Sequence, residues 1–137
     1  MFLHHLEDKQ KIAFLKAALF LIRLDGVVDM REEIVLEWAL RDMGLTHKDL
    51  PPCPARLQDV LEPLEAFQGD PSGACVLLIE AIRIGASDHA YDQAQEEALE
   101  AIAERVGVSS AQLQTYTDYA LRLQGLIEEG QGLVADA

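Results

Sequence analysis

Asp25-Gly26-Val27-Val28-Asp29-Met30-Arg31-Glu32-Glu33 aligns, at a shift of 63 residues and without a gap, with Asp88-His89-Ala90-Tyr91-Asp92-Gln93-Ala94-Gln95-Glu96. The register holds further on: Leu36 meets Leu99, Glu37 meets Glu100, Met43 meets Val106, and Gly44-Leu45 meets Gly107-Val108. Acids and glycines kept in phase over this distance mark an internal duplication. The simplest account is a helix–acidic loop–helix unit present twice, with a non-repeated connector between the copies and a C-terminal extension.

Working outward, apolar residues recur with helical spacing. Ile12, Leu15, Leu19 and Ile22 are three or four apart, which predicts a helix over about 6–24. Gly26 suits the left-handed turn at its end. Asp29 with Glu32 reads as a capping box opening a helix that runs to about Met43, with Leu36, Ala39, Leu40 and Met43 inside and Gly44 as its stop. Thr46-His47-Lys48-Asp49 caps one further short turn. Pro51-Pro52-Cys53-Pro54 ends helical structure, because proline removes amide donors and restricts the residue before it. Leu57, Val60, Leu61, Leu64 and Phe67 then return at helical spacing, with Pro63 kinking or dividing that segment.

Asp70-Pro71 is a helix start, the acid at the N-cap and proline where its missing donor costs nothing. Cys75, Leu78, Ile79, Ile82 and Ala86 form the inner stripe of that helix. Asp92 with Gln95 repeats the capping box, and Leu99, Ile102, Ala103 and Val106 are core positions before Gly107. Ser109 and Gln112 open a last helix whose inward residues are Leu113, Tyr116, Ala120, Leu123 and Ile127, a lid across both repeats. No stretch alternates with period two over strand length, so the fold class is all-α: a helical bundle of two pseudo-symmetric repeats with a C-terminal helix. The 137 residues form a single domain. Repeat one covers about 6–50, the connector 51–70, repeat two about 71–113, the C-terminal helix about 110–129, and a flexible tail 130–137.

Charge narrows the company this protein keeps. Eleven Lys and Arg face 24 Asp and Glu, a net charge of −13, and the second half has no lysine. Such a surface repels phosphate backbones and anionic lipid, so nucleic acid and membrane surfaces are disfavoured and cations or basic partners favoured. The longest apolar stretch, Ile12 to Ile22, is broken by Lys16 and falls short of the ~20 residues that span a bilayer. With no signal-peptide pattern at Met1 to Asp8, the expected location is cytoplasmic. Cys53 and Cys75 match no disulfide or CxxC framework and read as reduced structural thiols.

Each acidic loop places three carboxylates close together: Asp25, Asp29 and Glu33 in the first, and Asp88, Asp92 and Glu96 in the second. Residues four apart on a helix share a face, so each Asp–Glu pair can converge with the preceding loop acid. Glu37 and Glu100 extend the stripes by a turn. The helix dipole favours acids in a first turn by about 0.3–1 kcal/mol, which offsets their like-charge repulsion without a metal. By spacing alone the acids are therefore either helix caps or ligands, and Glu32 serves the capping box or joins the ligand set. An all-oxygen set suits Ca²⁺, Mg²⁺ or Mn²⁺, while His89 would draw the second loop toward Zn²⁺. The DxDxDG run and position-12 Glu of an EF-hand are missing.

At these loops the chain resembles the tellurite-resistance TerB-like family, a module also present in DnaJ-like membrane co-chaperones. The resemblance covers roughly residues 10–125. It rests on the apolar helix ending in Arg23-Leu24-Asp25-Gly26-Val27-Val28-Asp29, on Glu32-Glu33, on Met43-Gly44-Leu45, and on the degenerate second copy. It implies a helical bundle of two halves whose acidic loops bind divalent cations, and a link to metal-oxyanion or envelope stress. By motif position the implied metal ligands are Asp25, Asp29, Glu32 and Glu33, with Asp88, Asp92 and Glu96 in the second half. His89 stands where the family has glycine and Gln95 where it has an acid, so the two loops are not equivalent.

No nucleophile elbow, phosphate-binding loop, HExxH or Cys/His cluster is present, so the chain reads as non-enzymatic. The alternative to a cation-binding protein is a metal-independent acidic adaptor that docks a protein partner. Ile34, Val35 and Trp38 widen the apolar surface of repeat one where repeat two has Glu97, Ala98 and Ala101. That asymmetry marks a homodimer or partner surface, unless the connector 57–67 covers it. Trp38 itself reads as a core or half-exposed packing residue, and the Tyr116–Tyr119 pair as packing for the last helix.

Overall fold

Residues 8–24 contain neither glycine nor proline and carry apolar side chains on almost every turn, and they fold as one helix, α1 (Asp8–Leu24). The computed structural model of the chain describes residues 2–24, 30–85 and 93–137, and of residues 30–33 the backbone alone. Among the described residues every regular element is helical. α2 (Met30–Asp42), α3 (Leu57–Leu61), α4 (Pro71–Gly85), α5 (Gln93–Arg105) and α6 (Ser110–Asp136) follow α1, with 3₁₀ turns at Leu3–His5, His47–Asp49 and Glu62–Phe67. None of these helices is long and apolar enough to cross a membrane.

The 63-residue register of the sequence reappears in the backbone. α1 and α4 begin at Asp8 and Pro71, and α2 and α5 run from Met30 to Asp42 and from Gln93 to Arg105, each pair of bounds 63 residues apart. The helix ends repeat as well. Gly44 and Gly107 both take a positive φ, 73° and 79°, which an L side chain rarely adopts. The Leu45 N–H then donates to the Leu40 carbonyl and the Val108 N–H to the Ala103 carbonyl, each at 2.8 Å, satisfying carbonyls a helix end leaves orphaned. One residue later the next cap repeats too: the Thr46 N–H donates to the Asp49 carboxylate (2.9 Å) and the Ser109 N–H to the Gln112 side-chain carbonyl (3.1 Å).

α1 and α4 form the centre. α4 is buried on most sides, through Leu77, Leu78, Ala81, Ile82 and Ile84 among others, and lies against α1, α2, α5 and α6. The buried face of α1 includes Leu15 and Ile22 as expected but extends over Phe14, Ala17, Ala18 and Leu21, while Ile12 is exposed and Leu19 half-buried. Small side chains at Ala13, Ala17 and Ala18 let neighbouring backbones approach, and a stripe read from large aliphatics misses that face. The segment around Pro63 is divided into α3 and a 3₁₀ turn. Val60, Leu64 and Phe67 are buried against α1, making the connector part of the core. It leaves Ile34 and Trp38 uncovered, at 41% and 52% exposure.

α6 is longer than the sequence suggested. Ala120 and Thr117 are buried, Leu113 and Tyr116 pack against the core, and the helix lies along α4 and α5. Where a tail was expected over 130–137, α6 continues to Asp136 with residues 131–137 exposed. Gly130 and Gly132 each cost about 1 kcal/mol relative to alanine, but without a left-handed turn they do not stop a helix.

One polar knot joins the two central helices at their starts. Asp70 accepts from the Gly73 N–H (3.0 Å), capping α4, and from Gln10 Nε2 (2.8 Å) of α1. Gln10, itself buried, also donates to the Ala66 carbonyl (3.2 Å) and accepts from the Glu7 N–H (2.9 Å). The Gly73 amide and then Gln10 hold the Asp70 carboxyl below its usual range. A lowered pKa stabilises the fold above the ordinary carboxylate range and is lost as pH falls through the folded value. We expect Asp70→Ala to destabilise by about 1–2 kcal/mol at pH 7, in urea melts. The deficit should shrink as pH is lowered below about 4.

Candidate functional site

The two acidic segments join α1 to α2 and α4 to α5, so the framing helices fix where each candidate ligand falls along the chain. Asp29 directly precedes α2 and Asp92 directly precedes α5, while Glu33 and Glu96 are the fourth residues of those helices. Asp25, Asp29, Asp88 and Asp92 lie outside the described residues, as do the side chains of Glu32 and Glu33. Glu96 is described and is exposed in the first turn of α5. Among the described residues no three His, Cys, Asp or Glu side chains gather as a metal-holding group. Ala86, expected in the inner stripe of α4, also lies outside them.

Gln95, in the register position of Glu32, has a described role. It is 2% exposed, and its Nε2 donates to the Leu21 carbonyl of α1 at 2.9 Å. Gln95 thus links the start of α5 to the last turn of α1, close in sequence to the first acidic loop. A carboxylate there would have no proton to give the carbonyl. The amide, which breaks the acidic pattern of the repeat, is therefore the residue the interior position requires.

The exposed carboxylates of α5 continue from Glu96 through Glu97 and Glu100 to Glu104. Glu96 and Glu100 border a crevice with Ser110, Leu113, Gln114 and Thr117 at the start of α6. In α2, Glu37 reaches Arg41 at 3.9 Å, both well exposed, a pairing worth little in water. At the far end of α4, Glu80 is buried and meets Arg83 at 3.1 Å, while Arg83 Nε is buried without an acceptor among the described residues.

Arg83 also floors a groove of about 330 Å³ between α2 and α6. Ile34, Val35 and Trp38 line one wall and Gln124, Ile127 and Gln131 the other. Trp38 is half-exposed, within the expected range. Of the α6 wall, Ile127 was expected to face inward, whereas Gln131 lies beyond a helix ended near 129, although it continues the three-and-four spacing of Gln124 and Ile127. Cys53 and Cys75 are free and half-buried. Burial, with a hydrogen bond to Cys75, pushes the Tyr116 hydroxyl above its usual pKa, which fits a packing role for this tyrosine.

No protein-family model, curated protein or solved structure matches the chain.

The Gln95 contact makes a direct prediction. Gln95→Glu should destabilise by about 1–3 kcal/mol at pH 7, since it buries a carboxylate against a carbonyl that has lost its donor. The deficit should narrow as pH falls and the introduced acid becomes a donor, read by thermal melts from pH 7 to 4. Equal stability across this range would mean that the Leu21 contact does not hold α5 to α1.

Proposed function

We propose that this chain is a non-enzymatic, TerB-like protein that binds divalent cations at its two acidic loops. The carrying observation is the register of the framing helices. α2 and α5 have bounds 63 residues apart, which puts Asp29 and Glu33 at the same sequence positions relative to a helix start as Asp92 and Glu96, with Asp25 and Asp88 each four residues before the aspartate that precedes the helix. Glu32 belongs to the first ligand set, and Gln95, turned to the Leu21 carbonyl, has no carboxylate to offer the second. The first loop is therefore the stronger site. Its oxygen ligands favour Ca²⁺, Mg²⁺ or Mn²⁺, and His89 gives the second loop a nitrogen for Zn²⁺. The resemblance would connect such binding to metal-oxyanion or envelope stress, in the cytoplasm, through a protein partner.

A metal-independent acidic adaptor is the second reading. The half-exposed Trp38 and the α2/α6 groove on a chain of net charge −13 favour it.

Titration of metal-free protein with Ca²⁺, Mg²⁺, Mn²⁺ and Zn²⁺, followed by calorimetry and thermal melting, separates the two. Binding to the folded state at a hundred times the dissociation constant stabilises by about 2.7 kcal/mol. We expect that gain to fall sharply in Asp25→Asn and less in Asp88→Asn. Absence of heat and of any melting shift with all four ions would leave the acids as helix caps and favour the adaptor.

A further inference from the structure

α6 outlasts the body it packs against. At about 1.5 Å per residue its 27 residues reach about 40 Å, against about 22 Å for the 15 residues of α4. Gln124, Ile127, Gln131 and Val134 follow at steps of three, four and three along one face. The first three line the groove against α2. Val134, 79% exposed, carries the same line beyond it, with Leu133 beside it at 68%. Gly130 falls on this face between Ile127 and Val134, and a Cβ there would meet nothing within 4 Å. The helix thus has a glycine and an apolar tip at a place where its own fold offers neither a close neighbour nor cover.

We propose that the uncovered end of α6 pairs with a second copy of this chain. Two α6 helices cross antiparallel about a two-fold axis near Gly130 and Gln131, and each tip, Leu133 and Val134, enters the other copy's groove between Ile34, Trp38 and Ile127. About such an axis Val134 of one copy stands opposite Ile127 of the other, so tip and groove come into register from one operation. Glycine at the crossing lets the two backbones approach. The interface is isologous, using the same two surfaces twice, and closes at two copies.

Size and charge set its strength. Ile34, Trp38, Leu133 and Val134 leave on the order of 500 Å² exposed per copy, so the pair buries roughly 1,000 Å² in total, the lower limit for a specific interface. Two copies of −13 repel, and salt screens that repulsion. The dimer is therefore weak and strengthened by salt, whereas a basic partner helix in the same groove would be weakened by it. The pairing involves no metal and stands apart from cation binding at the loops.

Trp38 is the chain's one tryptophan, so its emission reports on the groove directly. Sedimentation equilibrium and Trp38 fluorescence over about 1–500 µM protein, at low and high salt, test the proposal. We expect the mass to rise from 15.1 kDa toward twice that value, with a parallel blue shift and a several-fold lower midpoint at high salt. Ile34→Glu and Val134→Lys, both at exposed positions, should each stay monomeric with unchanged helical circular dichroism. Mixed together they should regain dimer, since one intact groove then meets one intact tip and the introduced lysine of one copy meets the introduced glutamate of the other. A constant mass and emission throughout, or a dimer that survives both substitutions, would overturn the proposal. So would a blue shift that appears only on adding a basic Leu/Lys amphipathic peptide.

Discussion

The contact between α1 and α4 is the constraint on which the rest depends. Both helices bury extensive apolar faces, α1 through Phe14, Ala17, Ala18 and Leu21 and α4 through Leu77, Leu78 and Ile82 among others, and the two lie against each other. Every other helix covers what this pair leaves open. α3 and the 3₁₀ turn after it close one flank of α1, α5 lies against both, and α2 and α6 cover α4. Buried amides lock the arrangement where apolar contact has no direction: Gln10 to Asp70 at one end, and Gln95 to the Leu21 carbonyl near the other.

This arrangement has a consequence for the acidic segments. Each lies in the sequence between the end of a central helix and the start of a covering helix. Binding a cation at such a place would couple to the packing of α2 and α5 over the centre. The net charge of −13 opposes compaction, and a bound divalent ion relieves part of that repulsion.

What the sequence disclosed follows from the range of the interactions involved. Asp70-Pro71, the Gly44 and Gly107 stops, and the Ser109–Gln112 cap act within four residues of backbone, and the structure has them as read. The 63-residue register, shared by the bounds of α2 and α5, was legible because it is a pattern in the sequence itself. The stripe of α1 was half right, with Leu15 and Ile22 buried, and it missed Ala13, Ala17 and Ala18 because alanine carries little hydrophobic signal although it allows close packing. Gln10 and Gln95 were not legible as interior donors, since their partners lie 56 to 74 residues away. Of the candidate site, the order of the carboxylates relative to the helix starts was readable. Much of the groove was readable: Ile34, Val35 and Trp38 stood out by comparison with the second repeat and Ile127 by its spacing, whereas Gln131 depended on a helix running past Gly130.

The central claim concerns ions at the acidic loops, and counting bound ions tests it most directly. Free Mn²⁺ gives an electron paramagnetic resonance signal that is lost on coordination, so titrating the metal into the full chain reads occupancy without reference to stability. The account predicts a deficit of free Mn²⁺ that saturates at one or two ions per chain and is displaced by Ca²⁺ or Mg²⁺. A free signal that follows total Mn²⁺ in proportion, up to millimolar metal, would contradict it.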